Sequence, residues 1–318
     1  MKQIQSDDMA IARALIKKLI YFDIFSYPLS SREVISYCSY PNLDIENGRR
    51  MLKYLTINNL IKFERGFYFL GTGLSKIKKR LEENRRARSR LKAAHKYATL
   101  ISNFPYVRAV FISGSLSKNV MKPDSDIDFF IITEPGRLWV CRLFLSFFKI
   151  VFLGNSYRNF CINYFIDTNS LEIPDKNIYT ATEIAFLLPM YNYPIYKEFM
   201  LANHWYKAEF PNFVELHEKV RIKSGRIGKF VEILLNNKIG DWLDRKSYDM
   251  ITGFWRKKFK ALDQDSFLLN FRSLKNVSKH HPNNYQQVVL KQFTEGVIAF
   301  EESTGFSLSG TPIAKVPA

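Results

Sequence analysis

The chain has 318 residues, a length that suits two or three domains of roughly 100–200 residues each. Of these residues 47% are hydrophobic, and this fraction argues against wholesale disorder. The formal net charge of +17 favours a polyanionic partner, although a generally Lys-rich composition would give the same balance. The three cysteines, Cys38, Cys141 and Cys161, are far apart, which argues against a disulfide framework or a structural zinc site and predicts a reduced, cytoplasmic setting.

The first segment predicts three helices and a β-hairpin. Apolar residues recur at helical spacing over residues 8–25, and Ser30 followed by Glu33 resembles a capping box that begins a short second helix. A third helix is predicted over residues 44–58, and two short apolar runs around a Gly-containing turn follow it. This order resembles a winged-helix domain over residues 1–73. The resemblance implies either DNA binding through the third helix or a packing or dimerisation module.

Residues 74–100 predict one long basic helix. From Lys76 to Lys96 the sequence holds ten Lys or Arg residues against two Glu. The helix is either a solvated connector or a basic wall beside a cleft that handles phosphate.

The next segment predicts a mixed sheet with a helix. Its three strands and one helix are predicted at residues 106–113, 127–133, 160–166 and, for the helix, 137–153. From residue 179 onward the periodicity is helical almost to the end of the chain. The predicted fold class is therefore α+β.

Two acidic residues mark the start of the second of these strands. Asp126 and Asp128 share a face because strand residues i and i+2 point the same way, and Ile127 turns into the core. Adjacent carboxylates repel each other unless a cation lies between them. Oxygen ligands of this kind suit Mg²⁺, which takes one or two carboxylates together with substrate phosphates.

A glycine and a serine end the preceding strand. Gly114 allows the backbone to approach a phosphate closely, and Ser115 adds a hydroxyl at the start of a short helix. Lys118, one turn later, adds a positive charge for a triphosphate.

This pattern resembles the DNA polymerase β-like nucleotidyltransferase superfamily: an apolar strand, Gly-Ser, a spacer of about ten residues, and Asp-x-Asp in a second strand. The resemblance implies that Asp126 and Asp128 hold two Mg²⁺ ions. A nucleoside monophosphate would then pass from a nucleoside triphosphate such as ATP to a hydroxyl, with release of pyrophosphate. The acceptor stays open between a small molecule, RNA and protein.

The resemblance also implies a third carboxylate on a later strand. The centre of that strand has Asn163, an amide that cannot act as a base. Asp167 lies on the same strand face by parity and is the preferred third catalytic residue, and Glu172 is the other candidate. If neither serves, the site binds nucleotide without turnover.

We therefore expect four segments. These are a winged-helix-like domain (1–73), a basic connector helix (74–100), a nucleotidyltransferase catalytic domain (101–178) and a helical domain (179–318). The alternative function is that of a non-catalytic, nucleotide-sensing regulator that binds DNA through the winged helix.

Overall fold

The structure, a computed structural model, describes residues 6–154, 158–214, 226–280 and 284–309. The helices in this part of the chain are α1 (Ser6–Asp23), α2 (Ser31–Tyr37), α3 (Ile45–Ile57), α4 (Leu74–Ser102), α5 (Gly114–Ser117), α6 (Leu138–Phe152), α7 (Ile178–Ala185), α8 (Tyr193–Ala202), α9 (Arg226–Leu235), α10 (Lys238–Lys258), α11 (Gln264–Asn270) and α12 (Tyr285–Thr304). The strands are β1 (Leu29–Ser30), β2 (Lys62–Glu64), β3 (Phe67–Phe69), β4 (Val107–Ser113), β5 (Asp128–Thr133), β6 (Cys161–Asp167), β7 (Leu188–Tyr191), β8 (Ser273–Leu274) and β9 (Val277–Lys279).

The N-terminal unit consists of α1–α3 and a small antiparallel sheet. The predicted capping box is confirmed, because Ser30 Oγ accepts from the Glu33 backbone N–H at 3.4 Å and Glu33 Oε2 accepts from the Ser30 N–H at 2.8 Å. The predicted hairpin is β2 and β3, and the two-residue strand β1, which was not predicted, extends it in the order β1-β3-β2.

The long helix α4 joins the N-terminal unit to the central sheet. Arg80, near its start, pairs with Glu33 of the capping box at 2.6 Å and lies 4.3 Å from the ring of Tyr27. One turn later, Asn84 donates a hydrogen bond to the backbone oxygen of Asn119 at 2.5 Å. The predicted helix is confirmed, but it is more than a solvated connector because one of its faces is buried.

The central sheet has six strands in the order β7-β4-β5-β6-β9-β8. Only the β5–β6 pairing is parallel, so the predicted mixed sheet is confirmed. One face, with Phe129 and Ile131, packs under α4, α6 and α10. The other face, with Phe130 and Ile132, shares a continuous apolar core with α7, α8 and the N-terminal unit.

The expectation that residues 179–318 form a purely helical domain is wrong in one respect. Strands β7, β8 and β9 all come from this segment, and they occupy both edges of the central sheet. They are two to four residues long, which is too short to show an alternating pattern, and β7 contains Pro189, a residue confined to edge strands or bulges.

The most apolar predicted helix, α6, is buried mainly along its first half, with Lys149 buried in the second. Its second half exposes Phe147, Ile150 and Phe152. In the described part of the chain no helix is both long and apolar enough to cross a membrane. The three cysteines are free and buried.

Candidate active site

The strand β4 ends in a tight turn that only glycine fits. Gly114 has φ of +66°, in the left-handed region that side chains disfavour. A Cβ atom at this position would also collide with Oδ2 of Asp128. Ser115, next in the turn, is half-buried, and its backbone oxygen accepts from the Lys118 N–H at 3.1 Å. The backbone at Gly114 therefore lies directly against a carboxylate.

The two predicted carboxylates lie at the entrance of β5. Asp128 is the first residue of the strand and pairs in register with Ser113, the last residue of β4. Ile127 is fully buried, as predicted, and Asp126 immediately precedes it outside the strand. The strand pairing thus brings the acidic pair to the Gly114 turn.

Both carboxylates lie in surroundings that disfavour their negative charge. Burial, Asp126 and Glu183 raise the pKa of Asp128 to about 7. Burial also raises the pKa of Asp126, against the opposing effect of Lys149 and Arg90. Burial disfavours the charged form of a carboxyl group, and a bound cation would favour it.

Glu183 of α7, which the sequence favours as a helix-start residue that stabilises the helix dipole, lies at the site. Its Oε1 pairs with Lys118 Nζ at 2.9 Å, and its Oε2 accepts from the backbone N–H of Gly114 at 3.4 Å. Lys118 Nζ also donates to the Gly114 oxygen at 2.9 Å. The one available signal was that Glu183 is the only charged residue in the otherwise apolar helix α7.

The strand β6 contains an irregularity beside the acidic pair. Ile162 lies opposite Phe129, but Tyr164 lies opposite Phe130, so the pairing skips Asn163. One extra residue of this kind is a β-bulge, which re-aims side chains and is over-represented next to active sites. The side chains after the bulge therefore point to the face of the sheet opposite to the one they would reach in a regular strand.

The bulge directs the Asn163 side chain to the acidic pair. Its Nδ2 donates to Asp128 Oδ1 at 2.7 Å, and its Oδ1 accepts from the Cys161 thiol at 3.1 Å. Its backbone oxygen accepts from the His280 N–H at 2.9 Å, so β9 and the residue after it support the bulge.

The two preferred candidates for a third carboxylate lie elsewhere. Asp167 pairs with Thr133 at the far end of β6, six residues from the position opposite Asp128, which is roughly 20 Å at 3.3 Å per residue. Because of the bulge, Asp167 also faces the opposite side of the sheet. Glu172, in the loop after β6, forms an exposed pair with Lys176 at 2.8 Å. The structure therefore brings neither Asp167 nor Glu172 to the acidic pair.

Basic side chains from the helices surround Asp126. Arg90 of α4 donates to the Arg158 backbone oxygen at 3.0 Å and to Asn159 Oδ1 at 2.5 Å. Lys149 of α6 is 6% exposed, and burial lowers its pKa to about 8. Positive charge thus borders the acidic pair on the side of α4 and α6, while Lys118 lies on the other side.

Comparison with known proteins gives one match. Residues 98–194 match the family model described as a nucleotidyltransferase domain. This segment runs from the end of α4 to the start of α8 and contains Gly114, Asp126, Asp128 and Glu183. No curated protein and no solved structure matches the chain. The match supports the nucleotidyltransferase superfamily for this central segment of the chain.

Proposed function

We propose that the protein transfers a nucleoside monophosphate from a nucleoside triphosphate to a hydroxyl acceptor, in a reaction that depends on Mg²⁺. The observation that carries this proposal is the contact of the Asp128 carboxylate with the Gly114 turn, beside Asp126, inside the matched segment. The match also favours transfer over the alternative of a non-catalytic regulator.

The donor set fits a hard divalent cation. Asp126 and Asp128 offer carboxylate oxygens, and burial, with the charges of Asp126 and Glu183 in the case of Asp128, raises the pKa of each acid, so a cation bound to them would stabilise their charged forms. Among the described residues no group of three or more His, Cys, Asp or Glu side chains is arranged to hold a metal. Two carboxylates completed by waters and triphosphate oxygens are a normal Mg²⁺ ligand set. When bound, the ion would neutralise charge on the phosphates.

The triphosphate would take over donors that Glu183 now occupies. Lys118 Nζ and the Gly114 N–H both face the Glu183 carboxylate, at 2.9 and 3.4 Å. Phosphate oxygens are acceptors of the same kind but carry more charge. We therefore assign Lys118 and Gly114 to triphosphate binding and Glu183 to positioning Lys118 in the nucleotide-free protein.

In the proposed reaction the acceptor oxygen forms a bond to the α-phosphorus. The bond from that phosphorus to the bridging oxygen breaks, and pyrophosphate leaves with the electron pair. The proton of the acceptor hydroxyl goes to water. Asp126 and Asp128 would hold the cation that neutralises the reacting phosphate, and Lys118 would stabilise the charge that develops on the leaving group.

The test compares pyrophosphate release by the wild type with that of an Asp126→Asn, Asp128→Asn double variant. Each of the four triphosphates is supplied with Mg²⁺ and with small-molecule, RNA and protein acceptors, and mass shifts of the acceptors are recorded. Asp124→Asn is the matched control, because Asp124 is an exposed acid two residues before the pair. We expect the double variant to lose pyrophosphate release and the control to keep it. Equal rates in the double variant and the wild type would show that the site is elsewhere.

We also propose that the N-terminal unit is a winged-helix domain that serves as a packing module. Its order of helices and strands supports the fold type. Its apolar core is continuous with one face of the central sheet, and Arg50 of α3, a candidate DNA contact, pairs with Asp8 at 2.7 Å. A chain lacking residues 1–73 should lose cooperative thermal unfolding. A stable truncated chain, with salt-dependent DNA binding by the isolated unit, would favour the DNA-binding role instead.

A further inference from the structure

We propose that the active site holds one divalent cation with the nucleotide, rather than two, because an amide stands where a second cation needs a carboxylate. The inference rests on the proposed function and concerns the surroundings of Asp128. It departs from the two ions that the superfamily resemblance implies.

Both polar groups of the Asn163 amide are already committed. The Nδ2 group donates to Asp128 Oδ1 at 2.7 Å, and Oδ1 accepts from Cys161 Sγ at 3.1 Å. The opposite amide orientation would aim an oxygen at the Asp128 carboxylate oxygen, so this contact favours the orientation in the structure. The face that Asn163 turns toward Asp128 is therefore an N–H donor.

An N–H donor at this position opposes a second cation in two ways. The Asn163 N–H occupies a lone pair of Asp128 Oδ1, which Asp128 would otherwise use to bridge to the second ion. The partial positive charge of the N–H also repels that ion. Amide nitrogen is also not a ligand for Mg²⁺, which binds oxygen.

Among the described residues, the other acid that interacts with Asp128 besides Asp126 does not take the place of the amide. Glu183 contacts Lys118 at 2.9 Å and the Gly114 N–H, on the side of Asp128 Oδ2, whereas Asn163 contacts Asp128 Oδ1. The described residues contain no cluster of three ligating side chains around the pair.

The experiment counts the ions directly. Mn²⁺, a paramagnetic substitute for Mg²⁺, is titrated into the full-length protein with a non-hydrolysable triphosphate analogue, and bound Mn²⁺ is counted by electron paramagnetic resonance and calorimetry. Counting the ion that the analogue brings, we expect the wild type to hold about one Mn²⁺ per bound analogue and Asn163→Asp to hold about two. The pair in the variant should show spin coupling, because ions in two-metal sites are about 3.5–4 Å apart.

The control is Asn103→Asp at the end of α4. It also replaces an amide donor, which bonds to the Thr99 oxygen at 2.7 Å, and it adds the same charge away from the site. It should keep the wild-type count. A thermal midpoint that rises with Mn²⁺ more in Asn163→Asp than in the wild type or the control would support the same conclusion without activity.

Three results would overturn the inference. Two ions in the wild type would show that other groups hold the second ion, whether or not Asn163→Asp folds. A single ion in a folded Asn163→Asp variant would show that residue 163 does not control the number. Both results leave the proposed function intact, whereas a protein that binds no Mn²⁺ with any of the four analogues refutes the inference and the proposed function together.

Discussion

Replacing Gly114 with alanine should disable the site through one contact. The substitution introduces a Cβ atom at φ of +66°, where it would overlap Oδ2 of Asp128. The carboxylate must then move, because the clash is with the site itself and the backbone turn is fixed by the end of β4. Movement of Asp128 also breaks its hydrogen bond with Asn163.

The magnitude follows from two separable parts. A left-handed backbone conformation costs a non-glycine residue about 1–2 kcal/mol. A hydrogen bond to a charged group contributes about 1.5–3 kcal/mol, so displacing Asp128 from Asn163 adds a cost of that order. We expect Gly114→Ala to lower the free energy of unfolding by about 3–4 kcal/mol.

Gly136 provides the matched control. Its φ is +71°, and nothing lies within 4 Å of the Cβ atom that alanine would add. Gly136→Ala should therefore cost only the conformational part, about 1–2 kcal/mol. Urea unfolding measures both variants, and calorimetry with Mg²⁺ and a triphosphate analogue should show binding lost in Gly114→Ala and kept in Gly136→Ala. If the two variants agree within about 0.5 kcal/mol and both bind nucleotide, the close approach of Gly114 to Asp128 is refuted.

Three further predictions concern charged residues. Glu183→Gln should tighten triphosphate binding about fivefold, because Lys118 loses a competing ion-pair partner worth about 1 kcal/mol. Calorimetry measures the affinity, and weaker binding in the variant would instead indicate that Glu183 is a metal ligand. Burial lowers the pKa of Lys18 to about 8, so the unfolded chain binds more protons than the folded chain between pH 8 and 10.5. In urea unfolding, the free energy of unfolding of the wild type should therefore rise by about 3 kcal/mol over that window, relative to that of Lys18→Met. A difference between the two proteins that stays constant with pH would contradict this. Arg80→Ala should lower the free energy of unfolding by about 3 kcal/mol, because it leaves the partly buried carboxylate of Glu33 without its ion-pair partner. Arg86→Ala breaks a more exposed pair and should cost about 0.5 kcal/mol. Equal shifts of the thermal midpoint in the two variants would contradict this prediction.

The part of the site that the sequence predicts is the part that is local in the chain. Gly114, Asp126 and Asp128 lie within fifteen residues, and their spacing around two strands is enough to indicate a turn beside a carboxylate pair. The structure adds the reason for the glycine, which is the contact of its Cα with Asp128. Each of these residues owes its position to one hairpin-like pairing of β4 with β5.

Asp167 does not lie beside the acidic pair, as strand parity predicted, because parity assumes a regular strand. The argument for Asp167 counts residues along β6 in steps of two from the centre of the strand. The bulge at Asn163 inserts one residue, which reverses the facing of every later side chain. No residue type in this segment indicates a bulge, so the sequence alone does not predict it. Glu183 was missed for a related reason, since it reaches the site through the packing of α7 and not through spacing.

Residues that are local in the chain and residues that tertiary contacts bring in have different roles in the proposed site. The groups that bind metal and triphosphate, Gly114, Lys118 and the acidic pair, come from one continuous segment and are fixed by it. The groups that set charge around them, Asn163 and Glu183, arrive on separate elements through tertiary contacts. A change at position 163 can therefore alter the number of bound ions without disturbing the turn that holds the nucleotide. In the proposed site, nucleotide binding by the turn and the number of bound ions are therefore separable properties, and Asn163 is the residue that we propose separates them.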